Sequence, residues 1–400
     1  MHLRAPRTSG HPPTRSGAVS FVALLAAGCA ACALAACGAT KVGATGATSD
    51  HLADQRAIAP PPTAPPPALT LVAATPASGA ALAAPTSPIT LTLSAPLAAD
   101  APDPTLSPAV PGQWTRAGAT LTFTPSGEYP PYVSLAVTLP AGERGTGGAL
   151  AYAAVKLTYT TPTPTARRVQ QLLAELDYLP VAFTPAGAAA PLVAAAPTTP
   201  ASTPPAVSVA DQAGAFSWRF PGTPATLAAS WHEGSVNVVS QGAIMAFEAD
   251  HHLTIDGLAG PSVWGALVAA VQAGQVDPRP YDYISVSQAR PETLTVWQNG
   301  ANVYSSPANT GVPGATTEPG TFPVYERFTV TTMSGRNPDG TTYHDPGIPW
   351  VAYFNGGDAI HGFVRPGYGY PQSDGCVELP PANAQTVYPM DFYGTLVTVQ

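Results

Sequence analysis

Ala359-Ile360-His361-Gly362, with Ser373-Asp374-Gly375-Cys376-Val377-Glu378-Leu379 following so that Cys376 lies fifteen positions after His361, is the stretch that decides the reading of this chain. A cysteine attacks a carbonyl only as its thiolate and needs a neighbouring base, a role that His361 on an adjacent strand or loop can fill. Gly375 lets the backbone turn tightly, so that N–H groups near Gly375 and Cys376 point at a developing oxyanion. Gly362 leaves the far side of the imidazole open to a backbone carbonyl that fixes its tautomer, and Ser373 supports the site through its hydroxyl. Cys376 is thus expected as nucleophile and His361 as general base and acid.

The remaining cysteines crowd the N-terminus. Arg4, Arg7 and Arg15 precede an almost uncharged run from Ala18 to Ala36 that reads as a signal peptide. Leu34-Ala35-Ala36-Cys37-Gly38 resembles a bacterial lipobox, which implies cleavage before Cys37 and lipidation of that residue. Cys376 is then left without a disulfide partner in a compartment where disulfides are usual, and an unpaired thiol there calls for chemistry. The expected location is extracytoplasmic, lipid-anchored to the outer face of the cytoplasmic membrane and associated with the cell wall.

Formal charge is −8, and the leader holds three arginines and no acidic residue, so the mature chain is more acidic still and nucleic acid is excluded as a partner. Only 10% of residues are charged, while proline reaches 48 of 400, a balance that suits small β-rich domains joined by stiff linkers. The expected division is a leader at 1–36, a proline-rich tether at 37–67, a β-sandwich at 68–160, a three-helix domain at 166–275 with a long insertion at 181–239, and a β-rich catalytic domain at 281–400. Joints are marked by Thr160-Thr161-Pro162-Thr163-Pro164 and Val276-Asp277-Pro278-Arg279-Pro280.

Period-two alternation at Ile89, Leu91, Leu93, at Leu121, Phe123, at Val133 to Leu139 and at Val155 to Tyr159 predicts half-buried strands, and the texture resembles bacterial immunoglobulin-like domains. Period 3.6 then takes over at Val169, Leu172, Leu173, Leu176 and again at Trp264, Leu267, Val268, Val271. With Asp256-Gly257-Leu258-Ala259-Gly260-Pro261-Ser262-Val263-Trp264, these helices resemble the three-helix peptidoglycan-binding fold. Phe216, Trp218, Phe220 and Trp231 in the insertion either stack on sugars or pack it against its domain. Asp250-His251-His252 is not expected to bind metal, because adjacent histidines point apart and no Cys or Glu stands at ligand spacing.

Tyr283 to Ser287, then Thr293 to Trp297 with an Asn299-Gly300 turn, Phe328 to Thr331, Val351 to Phe354 and Thr395 to Val399 predict strands, and Pro381 to Tyr388 one short helix. With Thr317-Glu318-Pro319-Gly320-Thr321-Phe322-Pro323-Val324, this region resembles the YkuD-like L,D-transpeptidase catalytic domain over Tyr281 to Gln400. The resemblance implies a peptidoglycan transferase that forms 3→3 cross-links through a Cys376 acyl-enzyme on tetrapeptide stems. It implies no cofactor or metal, stem peptides and glycan as partners, a monomer and sensitivity to carbapenems. Tyr325, Trp350, Tyr353, Phe354, Tyr368 and Tyr370 are candidates for the cleft lining. Two positions depart from the pattern, since most members carry histidine where this chain has Asp374 and arginine or asparagine where it has Glu378. Carboxylates near a thiol raise its pKa and oppose an oxyanion, unless Asp374 steadies His361 as a triad acid does. A wall-binding lipoprotein with a decayed site, an L,D-carboxypeptidase and a protein-to-wall attachment enzyme are the alternatives.

Overall fold

The computed structural model describes residues 64–187 and 207–400. The leader, Cys37 and most of the tether lie outside these residues. Residues Pro66–Gln400 form one unit in which three regions follow one another along the chain.

The first region is two antiparallel sheets. β1 (Leu71–Thr75), β2 (Ile89–Leu93), β5 (Thr120–Pro125) and β4 (Gly112–Ala117) make one, in that order, and β3 (Thr105–Ser107), β6 (Ser134–Leu139) and β7 (Val155–Thr160) the other. Strict alternation in β2, β5 and β6 turns Ile89, Leu91, Leu121, Phe123, Leu135 and Val137 into a shared core.

The second region holds α1 (Ala166–Glu175), α2 (Ala225–Ser230), α3 (Val238–Asp250) and α4 (Pro261–Ala273), with a two-stranded β8 (Val181–Pro185) and β9 (Gly214–Trp218). The caps explain the boundaries. Thr165 accepts from Arg168 N–H at the start of α1, Asn237 and Ser240 form a reciprocal cap on α3, and α4 begins at Pro261 and ends on left-handed Gly274. Of the insertion's aromatics, Phe216, Phe220 and Trp231 pack against the helical core and Trp218 is 36% exposed. At Asp250 both carboxylate oxygens take Arg279, at 2.5 and 2.6 Å, and Tyr178 donates at 2.8 Å.

The third region is a pair of sheets around a second core. β12 (Ala301–Pro307), β11 (Thr293–Gln298), β10 (Asp282–Ser287), β18 (Leu396–Val399) and β13 (Gly320–Pro323) form one sheet in that order; β14 (Glu326–Arg336), β15 (Thr342–Asn355), β16 (Asp358–Gly362) and β17 (Val377–Leu379) form the other. Ile284, Val286, Val296 and Val397 meet Ala352, Phe354, Ile360, Val377 and Leu379 between them, closed by Ala384 and Val387 of α5 (Pro381–Val387). The opposite face of the first sheet is covered as well, because Tyr283, Trp297 and Leu396 belong to the helical core.

The joints expected as stiff linkers are packed in place. Thr161 is 5% exposed and exchanges hydrogen bonds with the Val133 backbone. In the other joint Asp277 N–H donates to Leu176 O at 2.9 Å, and the Arg279 guanidinium lies 3.9 Å from the Phe392 ring centre. Tyr132 also donates to Ala259 O at 2.8 Å, tying the first region to the second. Hydrogen bonds and a ring contact across regions, which sequence spacing does not report, hold these proline-rich joints.

A Tyr281–Gln400 fragment strips cover from Tyr283, Trp297 and Leu396, each worth about 1.5–3 kcal/mol when buried. Its melting temperature is expected to fall well below that of an Ala166–Gln400 fragment in circular dichroism, and equal values would show that the helical cover adds nothing.

Candidate active site

β16 and β17 run parallel, pairing Ile360 with Val377, His361 with Glu378 and Gly362 with Leu379. Ile360 and Val377 point into the core between the sheets, so the alternate residues Ala359, His361, Cys376 and Glu378 share the other face. There a small apolar cluster of Ile348, Val351 and Ala359 gathers Met333, Tyr353, Phe363 and Cys376. Three-residue pairing in a parallel ladder therefore brings the two sequence-identified residues onto one surface.

Cys376 is half-buried and carries a free thiol, with Sγ 3.8 Å from Gly357 O. Burial pushes the thiol up to about 12; the Ala359 N–H opposes this, while the Asp358, Glu378 and Asp374 carboxylates add to it. His361 is 3% exposed, and its Nδ1–H donates to the carbonyl of Gly362 at 3.1 Å, which leaves the lone pair on Nε2. Burial holds the imidazole below its ordinary pKa, only partly offset by that carbonyl and by Glu378. Burial thus favours the neutral form of both groups, thiol and imidazole.

Glu378 is not an unpaired burden. Its carboxylate takes both prongs of Arg365, Nη2 at 2.6 Å and Nε at 2.8 Å. Asp374 is half-buried beside this group, and the imidazole Nδ1 is occupied by Gly362 O and not by a carboxylate.

Ser373 is 3% exposed; its hydroxyl donates to Cys376 O at 2.5 Å, and Thr310 O holds its N–H at 3.1 Å. It pins the loop that carries the cysteine. The Gly375 N–H, expected at the oxyanion, donates instead to Ser373 Oγ at 3.3 Å. At φ +115° Gly375 turns this N–H back into the loop, and a Cβ there would fall 2.3 Å from Asp358 Oδ1.

The aromatic candidates divide. Tyr325 and Tyr353 flank the thiol, their phenols pushed up to about 12 mainly by burial, and Tyr325 donates to Gly356 O at 2.5 Å. Phe354 is buried in the core between the sheets, and half-buried Trp350 packs against that core and the Tyr388 ring. Tyr368 braces the loop through Phe363 O at 2.6 Å, and Tyr370 is 39% exposed. Sequence reasoning missed Asp358, Arg365 and the Gly357–Ala359 backbone; opposite charges at 365 and 378 on either side of one loop were the available signal for the ion pair. Among the described residues no group of His, Cys, Asp and Glu could hold a metal ion.

Residues 281–399 match the YkuD family, the L,D-transpeptidase catalytic domain. The β-rich region that carries His361 and Cys376 is therefore an L,D-transpeptidase-like domain. The chain is similar to an L,D-transpeptidase from Mycobacterium smegmatis at 14% identity, covering 83% of this chain and 99% of that one with a TM-score of 0.27. It is similar to L,D-transpeptidase 3 from Mycobacterium tuberculosis, solved with a faropenem-derived adduct, at 13% identity over 83% and 98% with a TM-score of 0.28. The catalytic domain of the E. faecium L,D-transpeptidase shares 26% identity over 31% of this chain and 100% of that domain, with a TM-score of 0.28. No curated protein matches the chain.

Gly375→Ala is expected to lower unfolding free energy by about 1–3 kcal/mol, because a non-glycine residue is strained there and its methyl meets Asp358. Gly265→Ala, on the exposed side of α4 with nothing within 4 Å, is the control and should stabilise slightly. Denaturant unfolding of the two variants checks this.

Proposed function

We propose that this chain is a peptidoglycan L,D-transpeptidase that forms 3→3 cross-links through a thioester on Cys376. The observation that carries the reading is the shared face on which an unpaired thiol and a buried imidazole, fixed through Nδ1 by the Gly362 carbonyl, are held by a three-residue parallel ladder. His361 Nε2 takes the thiol proton as Sγ attacks the carbonyl of the third residue of a tetrapeptide stem. The C–N bond to terminal D-Ala breaks, the leaving amine takes the proton from the imidazolium, and a thioester remains. An amine from a neighbouring stem then attacks, gives its proton to His361 and displaces the sulfur. The chemistry is acyl transfer by thiol and imidazole and calls on no cofactor.

The upstream regions serve placement in this reading. The two-sheet region acts as an immunoglobulin-like spacer, the helices as a peptidoglycan-binding domain, and lipidated Cys37 as the anchor on the outer face of the membrane. No helix among the described residues is long and apolar enough to cross a membrane.

Incubation with tetrapeptide muropeptides tests the function. Cross-linked dimers are expected; tripeptides alone would indicate a carboxypeptidase, and unchanged substrate a binding protein. A carbapenem should add to Cys376, since a thiolate aimed at an amide carbonyl also opens a strained lactam, and Cys376→Ser should gain no mass.

The pH profile of that acylation follows from the two shifts. His361 sits below its ordinary value, so the base stays unprotonated to lower pH and the acid limb should have its midpoint below about 6.5. The thiol sits near 12, so direct thiolate formation should lift the rate again only in strong alkali. Asp374→His should quicken lactam acylation at neutral pH, because it removes a carboxylate that raises the thiol; a slower variant would instead give Asp374 a supporting role.

A further inference from the structure

We propose that Arg365 is a positioning residue for this acyl transfer: its guanidinium holds the Glu378 carboxylate and cancels that charge beside both His361 and Cys376. The inference rests on the acyl-transfer reading for its purpose, but the geometry stands by itself. Glu378 lies directly opposite His361 in the ladder and two residues after Cys376 on the same face. Its side chain is 5% exposed, so water does little to screen it, and a buried carboxylate without a partner is costly. Arg365 reaches it from the loop that joins the two strands, immediately beyond the end of β16.

Several contacts fix the guanidinium for that task. It packs 4.6 Å from the Phe363 ring centre, and Nη2 donates to Gln372 O at 3.2 Å as well as to Glu378. Arg365 N–H rests on the Tyr368 hydroxyl at 3.2 Å, which in turn donates to Phe363 O. The Phe363 ring stands edge-on to His361, with centres 6.0 Å apart. Arginine, phenylalanine and imidazole thus form a continuous contact.

The ion pair is not what holds the strand. Glu378 N–H donates to Asn309 O at 2.9 Å and Asn309 N–H to Glu378 O at 3.0 Å, while β16 pairs with β17 on the other side. With its backbone secured on both edges, β17 does not depend on the side-chain pair for its place, and charge is the function left to that pair. Other groups also bear on the site: Asp345 from β15 on His361, Asp358 from β16 and Asp374 from the loop on Cys376, and the phenols of Tyr325 and Tyr353 beside the thiol. Of the three carboxylates bearing on the thiol, Glu378 faces the base directly and is gripped by two prongs of an arginine.

Iodoacetamide alkylation of Cys376, followed by peptide mass across pH in the full-length protein, reads the effect without requiring turnover. Arg365→Gln should slow alkylation at neutral pH by roughly threefold to tenfold and move its midpoint upward, as an unscreened carboxylate opposes the thiolate. The double variant Arg365→Gln/Glu378→Gln should return to within about twofold of wild type, Arg365→Lys should fall between, and Glu378→Gln alone should alkylate faster than wild type. Single and double variants equally slow, or Arg365→Gln indistinguishable from wild type, would overturn the inference; should Arg365→Gln not fold, a Glu378→Gln rate at or below wild type overturns it as well. Carbapenem addition measured in parallel separates the two claims. Alkylation that shifts as described, in a protein that takes up no lactam, keeps the charge pairing and removes the acyl-transfer reading.

Discussion

A parallel ladder only three residues long governs this site. Parallel pairing puts His361 opposite Glu378, and because side chains alternate, the same register puts Cys376 on the face that His361 occupies. A slip of one residue would turn Cys376 into the core now filled by Val377. Both flanks of the ladder are therefore fixed: β15 pairs with β16 on one side, and Asn309 brackets Glu378 on the other. Ser373, gripping the Cys376 carbonyl, stops the cysteine from rotating out of line just before the strand begins.

That ladder depends in turn on a sheet with no free face. The strands β10, β11 and β18 alternate between two cores, with Ile284, Val296 and Val397 turned towards the core between the sheets and Tyr283, Trp297 and Leu396 turned towards the helices. The Tyr283 hydroxyl runs between Thr226 of α2 and Thr398 of β18, both at 2.6 Å, so a polar stitch crosses the same boundary. Position is set by burial from both sides, and the proline-marked joints follow the packing.

What the sequence discloses follows from how local the signal is. The β11–β12 hairpin is legible because Asn299-Gly300 demands its turn, and α4 because proline, glycine and an apolar stripe agree. β13 is not, since Gly320-Thr321-Phe322-Pro323 carries residues that strands usually avoid. β17 is too short to show a period. At the site, the residue types of His361 and Cys376 declare themselves, whereas Asp358 is brought against Gly375 only by folding. Glu378 reads in the sequence as a liability, because spacing alone does not show that Arg365, across the loop, takes its carboxylate. The use of Gly375 N–H by Ser373 was hidden for the same reason.

The proton that Cys376 keeps at neutral pH has a further result. Peroxide and foreign disulfides react with thiolate, and a sulfur whose pKa is pushed up to about 12 presents almost none of it. A thiol held in this form is sheltered from sulfenic acid formation and mixed disulfides. Burial thus exchanges the thiol's resting reactivity for endurance towards oxidants.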